Sequence, residues 1–175
     1  MRACVIAFAG MIVVLTAFTV PDLATASEED ALPEETAVII ASIKTMFADP
    51  LSPRAIEAGK TVMDFSQGSD KVMVVVARDL GFYPGSDHAD MLLAQYIAGV
   101  VKFDLENPKQ ASDEQLGIQA GLQAALNAYR KIRAQQPSVT VAALDAAEAS
   151  MKKGELAEFI GEALARAKQE RLTTK

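Results

Sequence analysis

The sequence predicts an all-α fold: a single-domain bundle of six to seven helices, with a central helix near residues 87–106, after an N-terminal signal peptide. Apolar residues recur at spacings of three and four along most of the chain, as they do on one face of a helix. Most of these stretches begin or end at Ser, Asp, Pro or Gly, the residues that favour helix termini. Only residues 72–76 resemble a strand, and a lone strand would leave its backbone groups unpaired.

Composition excludes several classes of function. The chain has 175 residues, with 17 Lys and Arg against 23 Asp and Glu, and this acidic balance argues against a nucleic-acid partner. It contains one Cys, one His and no Trp. A single Cys excludes a disulfide framework and a Cys-built zinc site. We therefore expect no cofactor and no metal.

Residues 1–26 have the pattern of a signal peptide. A positive start at Arg2 precedes the uncharged stretch from Ala3 to Val20, and Ala24-Thr25-Ala26 follows as a cleavage site. We expect cleavage, export to the periplasm or the extracellular space, and no stable membrane span in the mature protein. The alternative is an uncleaved N-terminal anchor, because the apolar stretch is at the short edge of what spans a bilayer.

The mature chain is expected to begin with a frayed acidic segment, 27–35, and to continue as a helical domain over 36–172. Pro33 and the acidic pair after it favour the start of the first helix. Ser52 is a predicted N-cap for the second helix, with Pro53 at its first position.

The segment 69–80 is ambiguous. Its β-branched residues at 72–76 are compatible with a strand, whereas Ser69 and Asp70 would make an N-cap. We favour a short buried helix and keep the strand as the alternative.

The helix near 87–106 is expected to be capped by Ser86 or Asp87. Apolar residues cover most of its circumference and leave only a narrow polar strip, which comprises Gln95, Gly99, Lys102 and Glu106. A helix that is apolar on nearly all sides is typical of the middle of a bundle.

The next helix is expected to begin with a capping box formed by Ser112 and Gln115 and to extend to about Gln135. One face carries only small residues: Gly117, Gly121, Ala124 and Ala128. We predict that this face packs tightly against the central helix. Two further helices follow, over roughly 140–152 and 155–172, separated by a stop at Gly154.

His88 is the weak catalytic candidate, together with Asp87 and Asp90. A carboxylate beside an imidazole can produce a general base near neutral pH. Neighbours at these spacings do not share a helix face, however, so a solvated residue in the first helical turn is the competing interpretation. A metal site would need a further carboxylate from Asp64, Asp70 or Asp79.

The loop 81–85 is the candidate binding loop. It presents Phe82 and Tyr83 between glycines and a proline, and exposed aromatic residues on a rigid loop are typical binding anchors. Alternatively, these rings cover the end of the bundle.

Basic residues cluster in three places, which are 130–133, 152–153 and 166–171. One interpretation is a surface for anionic envelope material. The favoured one is that these residues complement the negative ends of their helices.

The leading hypothesis is an exported, non-catalytic binding or adaptor protein with an envelope protein as a possible partner, because no catalytic motif is present. The first alternative is a hydrolase-like or metal-dependent enzyme that uses His88. The second is a carrier of a small apolar ligand held among Phe65, Met91 and Phe103. The sequence leaves the oligomeric state open.

Overall fold

A computed structural model describes residues 33–76, 80–81 and 88–173, with the side chains of 167, 168 and 170–173 excepted. The described residues form helices and no strands, so the all-α bundle is confirmed with six helices. These are α1 (Glu34–Ala48), α2 (Pro53–Gly68), α3 (Ala89–Glu106), α4 (Glu114–Gln135), α5 (Ala142–Lys153) and α6 (Leu156–Thr173). The predicted signal peptide lies outside the described residues.

Three of the predicted helix boundaries are confirmed. The Ser52 side chain accepts a hydrogen bond from the Ala55 amide, and Pro53 is the first residue of α2. Pro33 occupies the N-cap position of α1. Gly154 ends α5 with a φ of 80°, which favours glycine because a Cβ is strained in that region.

Helix α3 is the centre of the bundle, as predicted. It packs against α1, α2 and α4, and the side chains of Leu92, Tyr96 and Val101 are fully buried. The predicted polar strip on α3 is wrong in its first half. Gln95 is only 2% exposed, and Gly99 is also buried.

The segment 72–76 forms neither the favoured short helix nor a strand. It is irregular chain, and side chains of α3 satisfy part of its backbone. The Met73 amide donates to Asp104 Oδ2 at 2.8 Å, and the Tyr96 hydroxyl donates to the Val75 carbonyl at 2.7 Å. These bonds replace the partners that a helix or a sheet would supply.

The predicted tight packing of α4 on α3 is confirmed. A Cβ built on Gly99 would lie 2.6 Å from Ala124 Cβ, and one built on Gly121 would lie 2.7 Å from the ring of Tyr96. Real Cβ atoms do not approach other atoms so closely, so the two backbones meet where only glycine fits.

The predicted capping box at the start of α4 is wrong by one residue. Asp113, not Ser112, is the N-cap, and its Oδ1 accepts a hydrogen bond from the Leu116 amide at 3.1 Å. The helix begins one residue later than predicted, so the carboxylate reaches the amide three positions ahead.

None of the helices within the described ranges has the length and apolarity needed to cross a bilayer.

Candidate ligand-binding cavity

A cavity of about 730 Å³ lies between α2 and the N-terminal half of α3, beside the end of α1. We call it the α2–α3 cavity. Its lining residues are Met46, Pro50, Ala55, Ile56, Gly59, Lys60, Met63, Asp64, His88, Ala89, Asp90, Met91, Ala94 and Gln95. Small-molecule sites in proteins commonly have volumes of roughly 300–1,000 Å³.

Most of the wall of the α2–α3 cavity is apolar. Helix α2 contributes Ile56 and Met63, and α3 contributes Met91 and Ala94. Ile56 is 57% exposed, which is high for a large apolar side chain. Flexible methionine side chains adapt to ligands of different shape, so this wall suits an apolar molecule.

Charged and polar side chains from distant parts of the sequence line the same cavity. Lys60 and Asp64 come from α2, and His88 and Asp90 come from the start of α3. The structure therefore places His88 and Asp90 around the same cavity as Asp64, one of the three carboxylates that the sequence suggests as a further metal ligand. Asp70 is not among the lining residues, and Asp79 and Asp87 lie outside the described residues.

The His88 side chain forms a hydrogen bond with the side-chain amide of Gln136. His88 occupies the N-cap position of α3, and its Nε2 atom lies 2.9 Å from Gln136 Oε1. An amide oxygen only accepts hydrogen bonds, so in this contact the imidazole donates. Over the described ranges, no three His, Cys, Asp or Glu side chains are arranged to hold a metal ion.

Gln95 is the functional candidate that the sequence analysis missed. It lines the α2–α3 cavity, and its Nε2 donates to the Met46 carbonyl at 3.0 Å. Its Oε1 is buried and has no hydrogen-bond partner among the described residues. A buried acceptor without a donor destabilises the folded state by about 1–3 kcal/mol. The sequence feature that could have identified it is a glutamine on a helix whose circumference is otherwise almost entirely apolar.

Gln95 also lines a second, smaller cavity of about 390 Å³, which we call the α1–α4 cavity. The remaining residues around it are Phe47, Ala124, Asn127, Ala128, Arg130 and Lys131. Lys131 Nζ donates to the carbonyls of Phe47 and Ala48, at the end of α1. This amine therefore compensates the negative end of α1.

The first basic cluster is occupied by intramolecular contacts. Arg130 pairs with Glu148 at 2.8 Å, and Arg133 pairs with Asp145 at 3.2 Å. The hydrogen bond from Arg130 lowers the pKa of Glu148. Together with Lys131, these pairs favour a structural role for the cluster over a surface for anionic material.

The other residues predicted to form a binding site differ in where the structure places them. Phe82 and Tyr83 lie outside the described residues. Of the three residues predicted to hold an apolar ligand, Met91 lines the α2–α3 cavity. Phe65 is a buried core residue, and neither it nor Phe103 is among the residues that line this cavity. Met91 is therefore the one member of this predicted set that lines the cavity, and its contact with a ligand stays a prediction.

No family model matches the chain. No curated protein and no solved structure shows significant similarity to it.

Proposed function

We propose that this chain is an exported, non-catalytic binding protein that holds a small, mainly apolar molecule in the α2–α3 cavity. The proposal depends on one observation: an open cavity of about 730 Å³ has an apolar wall and a few converging polar groups. That combination is typical of small-molecule sites. Export to the periplasm or outside the cell is part of the proposal and depends on residues 1–26 alone.

A first experiment asks whether the protein carries a ligand. Native mass spectrometry of protein purified without detergent should detect a bound molecule whose mass is compatible with the cavity. Extraction of that molecule with organic solvent should leave a protein that rebinds it. The proposal would be contradicted if the purified protein contained no bound molecule and bound no apolar probe.

A second experiment locates the ligand. A Cβ on Gly59 would lie 3.5 Å from Met46 Cε, which is ordinary contact, so Gly59→Leu should fold and direct its side chain into the α2–α3 cavity. We expect this variant to bind at least tenfold more weakly. Gly161→Leu is the matched control, because a Cβ there meets nothing within 4 Å and Gly161 does not line the cavity. If Gly59→Leu and Gly161→Leu bound the ligand with equal affinity, the ligand would lie outside the α2–α3 cavity.

Catalysis by His88 is the second candidate function. It is favoured by the position of His88, Asp64 and Asp90 around one cavity. The group that would orient this candidate base is the Gln136 amide, whose oxygen lies 2.9 Å from the imidazole Nε2. In an activity screen, turnover that His88→Ala abolishes and Gly161→Leu leaves intact would favour the enzyme.

A further inference from the structure

We infer that the ligand of the α2–α3 cavity carries an N–H or O–H group on its buried part and donates a hydrogen bond from it to Gln95 Oε1. The inference rests on the proposed function and narrows it. It selects apolar molecules with a hydrogen-bond donor, such as indoles, phenols or alcohols, over hydrocarbons, ethers and tertiary amines.

The orientation of the Gln95 amide is fixed by its partner. The Met46 carbonyl can only accept, so the atom of Gln95 that lies 3.0 Å from it must be the nitrogen. Exchange of the amide nitrogen and oxygen would place two acceptors against each other. The oxygen therefore remains as the atom without a partner in the described part of the chain.

A buried acceptor such as Gln95 Oε1 is stabilised by a hydrogen-bond donor. Gln95 is 2% exposed, and about nine-tenths or more of buried polar atoms in proteins have a hydrogen-bond partner. A ligand that donates to Oε1 removes the penalty of the unsatisfied group. A ligand of equal size without a donor leaves it in place.

The donors that line the α2–α3 cavity leave Gln95 Oε1 unsatisfied. Lys60 is an exposed residue, and the His88 ring bonds to Gln136. Asp64 and Asp90, when ionised, add further acceptors to the same lining. No donor among the described residues reaches Gln95 Oε1, and a donor-bearing ligand complements this atom.

Of the two cavities that Gln95 lines, the α2–α3 cavity is the more suitable one for the ligand. It has about 730 Å³ against about 390 Å³ in the α1–α4 cavity. The cations in the smaller cavity already have partners, because Lys131 binds the end of α1 and Arg130 binds Glu148. A drug-sized apolar molecule fits the larger space.

The test uses two isomers as probes, skatole and N-methylindole. They have the same atoms and nearly the same shape, and only skatole has an N–H donor. Indole fluorescence reports binding directly, because the chain contains no Trp. We expect wild-type protein to bind skatole about five- to tenfold more tightly, the ratio that one net hydrogen bond supplies.

Gln95→Met tests the acceptor, since methionine has a similar volume and no amide. In this variant the two isomers should bind with affinities that agree within about twofold. A second measurement does not depend on the variant's folding: in wild-type protein, the side-chain amide resonances of Gln95 should shift with skatole and much less with N-methylindole. Gly59→Leu should weaken both probes.

The outcomes separate the inference from the proposed function. Equal affinity of the two isomers for the wild-type protein would overturn the inference and leave the binding cavity intact. A preference for skatole that survives Gln95→Met would also overturn it, because the N–H group would then bond to another acceptor. Binding of both isomers that Gly59→Leu leaves unchanged would overturn it too, because the probes would then occupy another site. Failure of both isomers to bind, in protein that also carries no ligand when purified, would overturn the proposed function itself.

Discussion

Replacement of Gly99 by alanine tests the closest contact in the bundle. The added Cβ would lie 2.6 Å from Ala124 Cβ and 2.7 Å from the Ala120 carbonyl oxygen. A backbone oxygen cannot rotate away, so α3 and α4 would have to separate. Overpacking of this kind costs about 1–3 kcal/mol. Alanine in a helix regains about 0.5–1 kcal/mol relative to glycine. The difference lies between about 0 and 2.5 kcal/mol, and we expect a net loss of about 1 kcal/mol.

Urea denaturation followed by helical circular dichroism measures this change. The matched control is Gly161→Ala in α6, because a Cβ on Gly161 meets nothing within 4 Å. The control should gain about 0.5–1 kcal/mol from helix propensity alone. A gain of the same size in Gly99→Ala would refute the close approach of α3 and α4.

Three further predictions concern named hydrogen bonds. Asp113→Ala should lower the free energy of unfolding by about 1 kcal/mol and Ser112→Ala by less than about 0.5 kcal/mol, because Asp113 is the N-cap; urea denaturation distinguishes them. Tyr96→Ala should cost about 3–5 kcal/mol, and Tyr96→Phe about 1 kcal/mol through the lost bond to Val75, by the same measurement. Burial raises the pKa of Asp104, so the folded state holds the proton more tightly than the unfolded chain does. That contribution to the free energy of unfolding should be fully present below the ordinary pKa of about 3.8 and be lost as the pH rises through the folded-state pKa. Asp104→Asn should remove this pH dependence, which unfolding at a series of pH values would reveal.

The start of α2 and the end of α5 could be predicted because their chemistry is local. The Ser52 cap bonds to an amide three residues away, and Gly154 ends α5 through its own φ. The segment 72–76 could not be predicted in this way. Its backbone is satisfied by Asp104 and Tyr96, which lie more than 20 positions away in the chain.

Only some residues that line the α2–α3 cavity could be predicted from the sequence, for a related reason. The sequence identifies His88 and Asp90 as neighbours, but nothing in it requires Asp64 to line the same space. Periodicity predicts a polar strip that includes Gln95, because it places side chains on faces without saying what covers each face. Burial of that strip depends on how α3 packs against α1 and α4.

Both side chains that hold the segment 72–76 belong to α3, and they are two helical turns apart. Neither can be in position before that part of the helix has formed, so the segment cannot reach its final place independently. In a refolding experiment with pulsed hydrogen exchange, the Met73 amide should therefore become protected together with the amides of α3, and not ahead of them.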